Sequence, residues 1–308
     1  MNEEKNYLLD IYKINTKPKI VKMRMMLVIA VILTIILIIL CLISFSKIYS
    51  QHRQYESYQK EYEEISKEEK IIEERKQEKA EEERKAKIPQ LTDIGKENMK
   101  HIYKSDKKRA FLTFDDGPSS VTNQILDTLK KENIKATFFV LGSRIEGREN
   151  LLKRAYEEGH YIASHGYTHV YSEIYKSPED VIKEDRQCVE EIRRAIGVPE
   201  YEPHLFRFPG GLYGGKYADI KKQANEILKN NDIISLDWNA LNGDGETNNL
   251  TPEFELQRLK ETTQGKNSIV VLLHDAPAKK VTAETLPQII EALREQGYEF
   301  KNFYEIIK

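Results

Sequence analysis

Cysteine is almost missing from this chain: there are two in 308 residues, Cys41 and Cys188. Cys41 lies in a long apolar run and Cys188 in a predicted helix over 177–196, so the two cannot pair and no disulfide framework supports the fold. Glycine and proline are also scarce, with 15 and 10 residues. Together they fall below the usual ~12%, which excludes collagen-like and linker-rich proteins. There is no excess of positive charge. The 48 Lys and Arg against 50 Asp and Glu leave a net charge of -2, so no global field gathers nucleic acid and a nucleic-acid partner is not expected. A mean hydropathy of -0.60 excludes a polytopic membrane protein. What remains is 40% hydrophobic residues, enough for a real core, in a length that suits about two folded units.

One long hydrophobic run is present. Residues 26–45 read MLVIAVILTIILIILCLISF, with no charge. As a helix they span about 30 Å, the thickness of a bilayer's hydrocarbon core. Lys17, Lys19, Lys22 and Arg24 precede the run, whereas only Lys47, Arg53 and the weakly basic His52 follow closely. The positive-inside rule therefore places residues 1–25 as a cytosolic tail and exports everything after the span, a single-pass protein of the plasma membrane. A cleaved signal peptide fits less well, because the run is longer than a signal core and no A-x-A pattern follows. Leu40 before Cys41 also argues against lipoprotein cleavage.

Residues 46–104 read as a charged stalk and linker. Twenty of the 28 residues from 60 to 87 are charged, a composition that favours a solvated helix supported by i,i+4 pairs and reaching roughly 55 Å over 50–87. Tyr55, Tyr58, Tyr62 and Ile65 form a short seam, broken at Glu69, that would support at most a weak dimer.

The globular part is expected over 105–308. Short apolar runs at 110–114, 136–141, 161–163, 205–208, 233–237, 269–273 and, weakly, 299–303 alternate with amphipathic helical stretches. Ser177-Pro178-Glu179-Asp180 and Thr251-Pro252-Glu253 each set a cap, a proline at the first helical position and acid in the first turn. This alternation predicts a parallel α/β architecture. Periodicity alone leaves an incomplete barrel and an open doubly wound sheet both compatible.

Chemistry-bearing residues fall at the carboxyl ends of these runs, where parallel α/β folds place their sites and which favours the barrel. The first run ends in Thr113-Phe114-Asp115-Asp116-Gly117, the third in His165-Gly166-Tyr167-Thr168-His169, the fourth in Arg207-Phe208-Pro209-Gly210-Gly211 and the sixth in His274-Asp275. Two histidines four apart, with Asp115 or Asp116, make a three-ligand set that leaves a position open, as in catalytic zinc sites. Adjacent carboxylates on a strand point in different directions, so one can hold an ion while the other takes a proton from water.

This combination resembles the polysaccharide deacetylase family, also called the NodB-homology domain or carbohydrate esterase family 4, over about residues 105–308. TFDDG at 113–117, H-x-x-x-H at 165–169, R-x-P-x-G at 207–211 and L-L-H-D at 272–275 occur in the family's order. The resemblance implies a distorted (β/α)7 barrel and metal-dependent hydrolysis of N-acetyl groups on amino sugars. It implies Asp115 as general base, Asp116, His165 and His169 as metal ligands, Arg207 as the residue orienting Asp115, and His274 as general acid. The ion would be divalent, Zn²⁺ foremost, although such a ligand set also tolerates Co²⁺ or Ni²⁺. The family's D-x-x-D-W pattern is not matched around Ile234 to Asn239, and Asp237 is the acid expected to hydrogen-bond His274. Gly210, Gly211 and Tyr213 are expected at the substrate, with a backbone N–H of 210–213 facing the oxyanion, and Trp238 is expected either there or in the barrel wall. Asn242-Gly243-Asp244-Gly245-Glu246 lacks the later ligands of a calcium loop and reads as a plain turn or a substrate-contacting loop. His101, His160 and His204 carry no expected role.

An enzyme tethered outside the membrane meets the cell wall, so N-acetylglucosamine of peptidoglycan is the favoured substrate. N-acetylmuramic acid, poly-N-acetylglucosamine and chitin oligomers are alternatives within the reaction. A non-catalytic glycan-binding module and a small-amide deacylase are alternatives to it.

Overall fold

The structure is a computed structural model that describes residues 2–308, with side chains described for Asn6 and from Lys17 onward. Met1 and the side chains of 2–5 and 7–16, all in the expected cytosolic tail, lie outside the described residues. The chain divides into two units, Met1–Ala80 and Glu81–Lys308.

The first unit is helical throughout its described length, the greater part of α1 (Asn2–Ala86). No glycine occurs before Gly95, and the strong helix formers Glu, Lys, Arg, Leu and Ala dominate the run. Every side chain from 26 to 45 is exposed, and the helix is long and apolar enough to cross a membrane by length and composition. Further along, Gln54 Nε2 donates to Tyr58 Oη at 3.0 Å, an i,i+4 bond. Tyr55, Tyr58, Tyr62 and Ile65 are exposed.

The second unit takes in the end of α1, where Arg84 pairs with Glu200 and Lys87 Nζ donates to Glu157 O at 3.0 Å. Pro89 follows α1 and cannot extend it. The order is then α2 (Asp93–Lys100), β1 (Arg109–Gly117), α3 (Thr122–Lys131), β2 (Thr137–Val140), α4 (Glu149–Glu157), β3 (Tyr161–Ser164), α5 (Tyr171–Ile174), α6 (Pro178–Ile196), β4 (Leu205–Phe206), α7 (Ala218–Asn230), β5 (Ile234–Ser235), β6 (Ala240–Leu241), α8 (Pro252–Thr263), β7 (Ser268–His274), α9 (Lys280–Glu295) and β8 (Glu299–Phe300). Ser177 and Thr251 cap α6 and α8 as expected, accepting from Asp180 N and Phe254 N.

All pairings are parallel, in the order β5-β4-β3-β2-β1-β7-β6, with β8 beside β1. This is the distorted (β/α)7 barrel, with one more strand than the seven expected. The extra one, β6, belongs to the same extended stretch as β5. Leu236 N donates to Phe206 O beside β4, and Asn239 N donates to Val270 O on β7. The chain changes partner between these residues, so the sheet is closed by the continuity of one segment.

Alternation along β1 sorts the core. Ala110, Leu112 and Phe114 pack outward under the helices, whereas Phe111 joins Phe139, Tyr161, Leu205, Leu236 and Val270 inside the barrel. Met99 and Ile102 close this interior together with Phe303, Ile306 and Ile307, and Thr92 N donates to Ile307 O at 3.0 Å. The folded unit therefore begins well before residue 105, because α2 contributes to the barrel floor rather than to a linker.

Candidate active site

β1 delivers both acids. In a regular strand, neighbours face opposite sides, yet the pairing of β1 with β2 shifts register between Asp115 and Gly117 and Asp116 adopts φ 74°. The irregularity turns both carboxylates toward one place: Asp115 Oδ2 and Asp116 Oδ1 each lie 3.7 Å from His165 Nε2. Gly117 is required beside them, since a Cβ there would meet Asp275 Oδ2 at 2.3 Å. Asp275 in turn anchors the following loop through Ser119 and Thr122 hydroxyls at 2.9 and 2.6 Å.

Asp115 is buried and held from one side. Arg207, at the end of β4 and 0% exposed, donates from Nη1 to Asp115 Oδ1 at 2.7 Å and to Thr113 Oγ1 at 2.8 Å. Its Nε donates to Leu236 O at 2.9 Å and its Nη2 to Asp237 O at 3.3 Å. The Phe139 ring lies 4.1 Å from the guanidinium. A buried charge this fully partnered is a fixed support, because removing its partner would leave it stranded.

His165 and His169 lie on the loop after β3. Arg207 O lies 2.7 Å from His165 Nδ1; a carbonyl only accepts, so Nδ1 carries the proton and Nε2 presents its lone pair to the acids. His169 Nε2 is 3.5 Å from Asp116 Oδ1. Glu184 of α6 accepts from Tyr167 N, Thr168 N and Thr168 Oγ1 at 2.6, 2.7 and 2.8 Å, clamping the loop between the two histidines. Burial opposes ionisation of Asp116, but His165 and His169, then His274 and Arg144, outweigh it and hold its pKa below the usual carboxylate value. Burial and the neighbouring His165 lower that of His169. A carboxylate oxygen and two imidazole nitrogens make the donor set of a divalent cation. One ligand atom from each of Asp116, His165 and His169 lies within 4.8 Å of the others, and Asp116 Oδ1 is buried without a hydrogen-bond partner. These residues fit a metal.

His274 ends β7. Asp244 Oδ1 lies 2.6 Å from its Nδ1, and its backbone N–H donates to Asp244 Oδ2 at 2.9 Å. Burial alone would strip its proton, but Asp244, with Asp115 and Asp116 behind it, raises the pKa to about 9. The acid facing His274 is thus Asp244 and not Asp237. Asp237 lies on the other side of Arg207, where its carboxylate accepts from Leu212 N at 3.1 Å, because β5 is cut short and the chain crosses to β7 before returning polar groups to the rim. The 242–246 loop is neither a plain turn nor a calcium loop: it carries the partner of His274.

Gly210 and Gly211 both adopt positive φ, 73° and 77°. Gly211 N donates to Phe208 O at 2.8 Å and Leu212 N to Asp237, which turns the Tyr213 side chain out to 83% exposure. Trp238 is half-buried, with its ring 5.7 Å from the Arg207 guanidinium. It packs against Gly211, where a Cβ would meet it at 3.3 Å; it belongs to the barrel wall. A groove of about 550 Å³ runs from Tyr213 and Asp237 between β5 and α2. A larger hollow of about 800 Å³ between α8 and α9 is lined by none of the site residues.

A parallel barrel with two acids, two histidines, a buried arginine and an acid-paired histidine at its carboxyl rim defines a class of α/β-barrel hydrolase, and the comparisons with known proteins make it particular. The sequence profile of the polysaccharide deacetylase family matches residues 103–226. A peptidoglycan-N-acetylglucosamine deacetylase of Bacillus cereus is 33% identical over 205 residues, 65% of this chain and 71% of that protein. The peptidoglycan-N-acetylglucosamine deacetylase PgdA of Listeria monocytogenes is 34% identical over 210 residues, but the chain spans only 39% of its length. A Streptococcus mutans CE4 esterase of known structure superposes with a TM-score of 0.61 at 29% identity, covering 69% of this chain and 92% of that one. The chain belongs to the polysaccharide deacetylase family.

Proposed function

We propose that this protein removes N-acetyl groups from N-acetylglucosamine of peptidoglycan, releasing acetate, and that it does so anchored to the outer face of the plasma membrane by residues 26–45. The observation that carries the reading is the meeting of Asp115, Asp116, His165, His169 and Arg207 at one rim. The names of the Bacillus and Listeria relatives support the substrate.

Asp116, His165 and His169 would hold the divalent cation, for which Zn²⁺ is the first choice, and when bound it would supply Lewis acidity. Asp115 is the base. Its Oδ1 is committed to Arg207, so Oδ2, on the side of His165, takes the proton of the attacking water. Arg207 fixes the carboxylate and cannot itself accept a proton. The backbone N–H groups of Gly211 and Leu212 are already engaged within the loop, which leaves those of Gly210 and Tyr213 to stabilise the oxyanion. His274, with Nδ1 turned to Asp244, donates from Nε2 to the departing nitrogen. One C–N bond breaks, one C–O bond forms, and acetate and a free amine result. Exposed Tyr213 offers an aromatic face for a neighbouring sugar.

The test is acetate release by the full-length protein from isolated peptidoglycan and from chitin oligomers, with chelator, with added Zn²⁺, and beside Asp115→Asn. Release that chelator abolishes, Zn²⁺ restores and the variant lacks is the expected result. Release from chitin alone would overturn the substrate, and glycan binding without any release would replace the enzyme by a binding module. Protease treatment of intact protoplasts tests the topology: digestion of the 81–308 unit from outside is expected, and its protection would reverse the orientation.

A further inference from the structure

Behind His274 lies a buried polar chain that the steps above do not use. Asn242, Asp244, Glu255 and Thr282 are all 0–1% exposed. Asn242 Oδ1 accepts from Asp244 N at 3.2 Å, which orients the amide so that its Nδ2 donates to Glu255 Oε1 at 2.8 Å. Thr282 Oγ1 then lies 2.6 Å from Glu255 Oε1 and 3.1 Å from Asp244 Oδ2. A hydroxyl has one hydrogen. Were both acids ionised, one carboxylate oxygen would face a bare lone pair in a dry interior, at a cost that buried polar groups avoid. A proton on one acid removes the conflict. The proton falls on Glu255, because Asp244 receives two donors from His274, Nδ1–H and the backbone N–H, whereas Glu255 receives only one, from Asn242 Nδ2.

We infer that Glu255 is a neutral carboxylic acid and, through Thr282, a positioning residue for His274. Glu255 Oε1–H donates to Thr282 Oγ1, Thr282 donates to Asp244 Oδ2, and Asp244 Oδ1 accepts from His274 Nδ1. Every hydrogen in the chain has an acceptor, and 2.6 Å is a short O–H···O contact of the kind a carboxylic acid donor makes. The net charge behind the imidazole is then one and not two, which keeps its Nε2 proton available for transfer. Burial, followed by the charge of Asp244, presses the pKa of Glu255 upward against Thr282, Thr285 and Lys279. Lys279 is the cation that acts on it, and its Nζ donates to Asp244 O. The inference rests on the reading of His274 as the acid, but its first measurement does not require activity.

The infrared difference spectrum between wild-type full-length protein and Glu255→Gln at pH 7 should show the band of a protonated carboxyl group. A carboxylate band in its place would overturn the assignment. In acetate release, Glu255→Gln leaves the local charge unaltered, so the alkaline limb of kcat/KM should stay where it is; a limb that moves down would mean that a negative charge had been removed. Thr282→Val should lower kcat about ten- to hundredfold, as the loss of a hydrogen bond to a charged group does, with KM unchanged and with recovery in Thr282→Ser. Wild-type kcat in Thr282→Val would remove the relay. If Thr282→Val does not fold, the infrared band and the Glu255→Gln limb decide. If no protein releases acetate, the proposed function fails while the band still decides the protonation of Glu255.

Discussion

At the scale of residues, His274 and Asp116 should fail differently. His274→Ala keeps the metal site and is expected to lower kcat about 10²- to 10⁴-fold, the usual reach of general acid catalysis. Asp116→Asn and His169→Ala should lose the ion itself, as metal content after dialysis will show. The pH dependence has a definite sign. With its pKa raised to about 9, His274 is protonated below that value, so kcat/KM should hold through neutrality and fall as pH passes about 9. Asp244→Asn removes the leading support, and the limb should move down toward the ordinary histidine value of 6.5. Asp115, Asp116, His165, His169, Arg207 and His274 were legible because each sits where a recognisable apolar run ends. Asp244 was not: it lies in a polar loop 30 positions before His274, and only the crossing of the chain from β4 to β7 brings the two together. Asp237 looked the better partner because it ends a run, but that run ends on the wrong side of Arg207.

At the scale of elements, two buried tethers deserve separate tests. Glu184 lies on α6 yet clamps the loop between His165 and His169, so on the proposed metal reading Glu184→Ala should weaken metal affinity about 10- to 100-fold, as loss of an outer-shell partner does. Competition with a chelator measures this, and Glu184→Gln should recover part of it, because its amide oxygen still accepts. Gly95, on α2, faces Ile307, where a Cβ would approach the carbonyl oxygen to 2.0 Å. Gly95→Ala should therefore destabilise the second unit by about 1–3 kcal/mol, the range for overpacking, seen as a lower midpoint in thermal unfolding. Among the elements, α6 and α8 could be read from their Ser177 and Thr251 caps. The two-residue β6 could not, since a strand that short leaves no alternation to count, and α2 was hidden by its Lys-rich flanks, although Met99 and Ile102 are buried.

At the scale of the whole molecule, the boundary between stalk and barrel is what a truncation would probe. A protein beginning at residue 81 should unfold cooperatively and keep its metal site, whereas one beginning at residue 105 lacks the α2 plug and should melt earlier and expose the barrel interior, detectable by binding of a hydrophobic dye. The helical character of residues 26–45 and 50–86 was legible from composition alone, because neither glycine nor proline interrupts those stretches. The floor of the barrel has a further meaning in time. Met99 and Ile102 meet Phe303, Ile306 and Ile307 across about two hundred residues of chain, so the interior cannot be sealed until the ribosome has made the distant half of that contact. If the chain crosses the membrane as it is made, the barrel is still open while it does so, and its folding belongs to the outside of the cell.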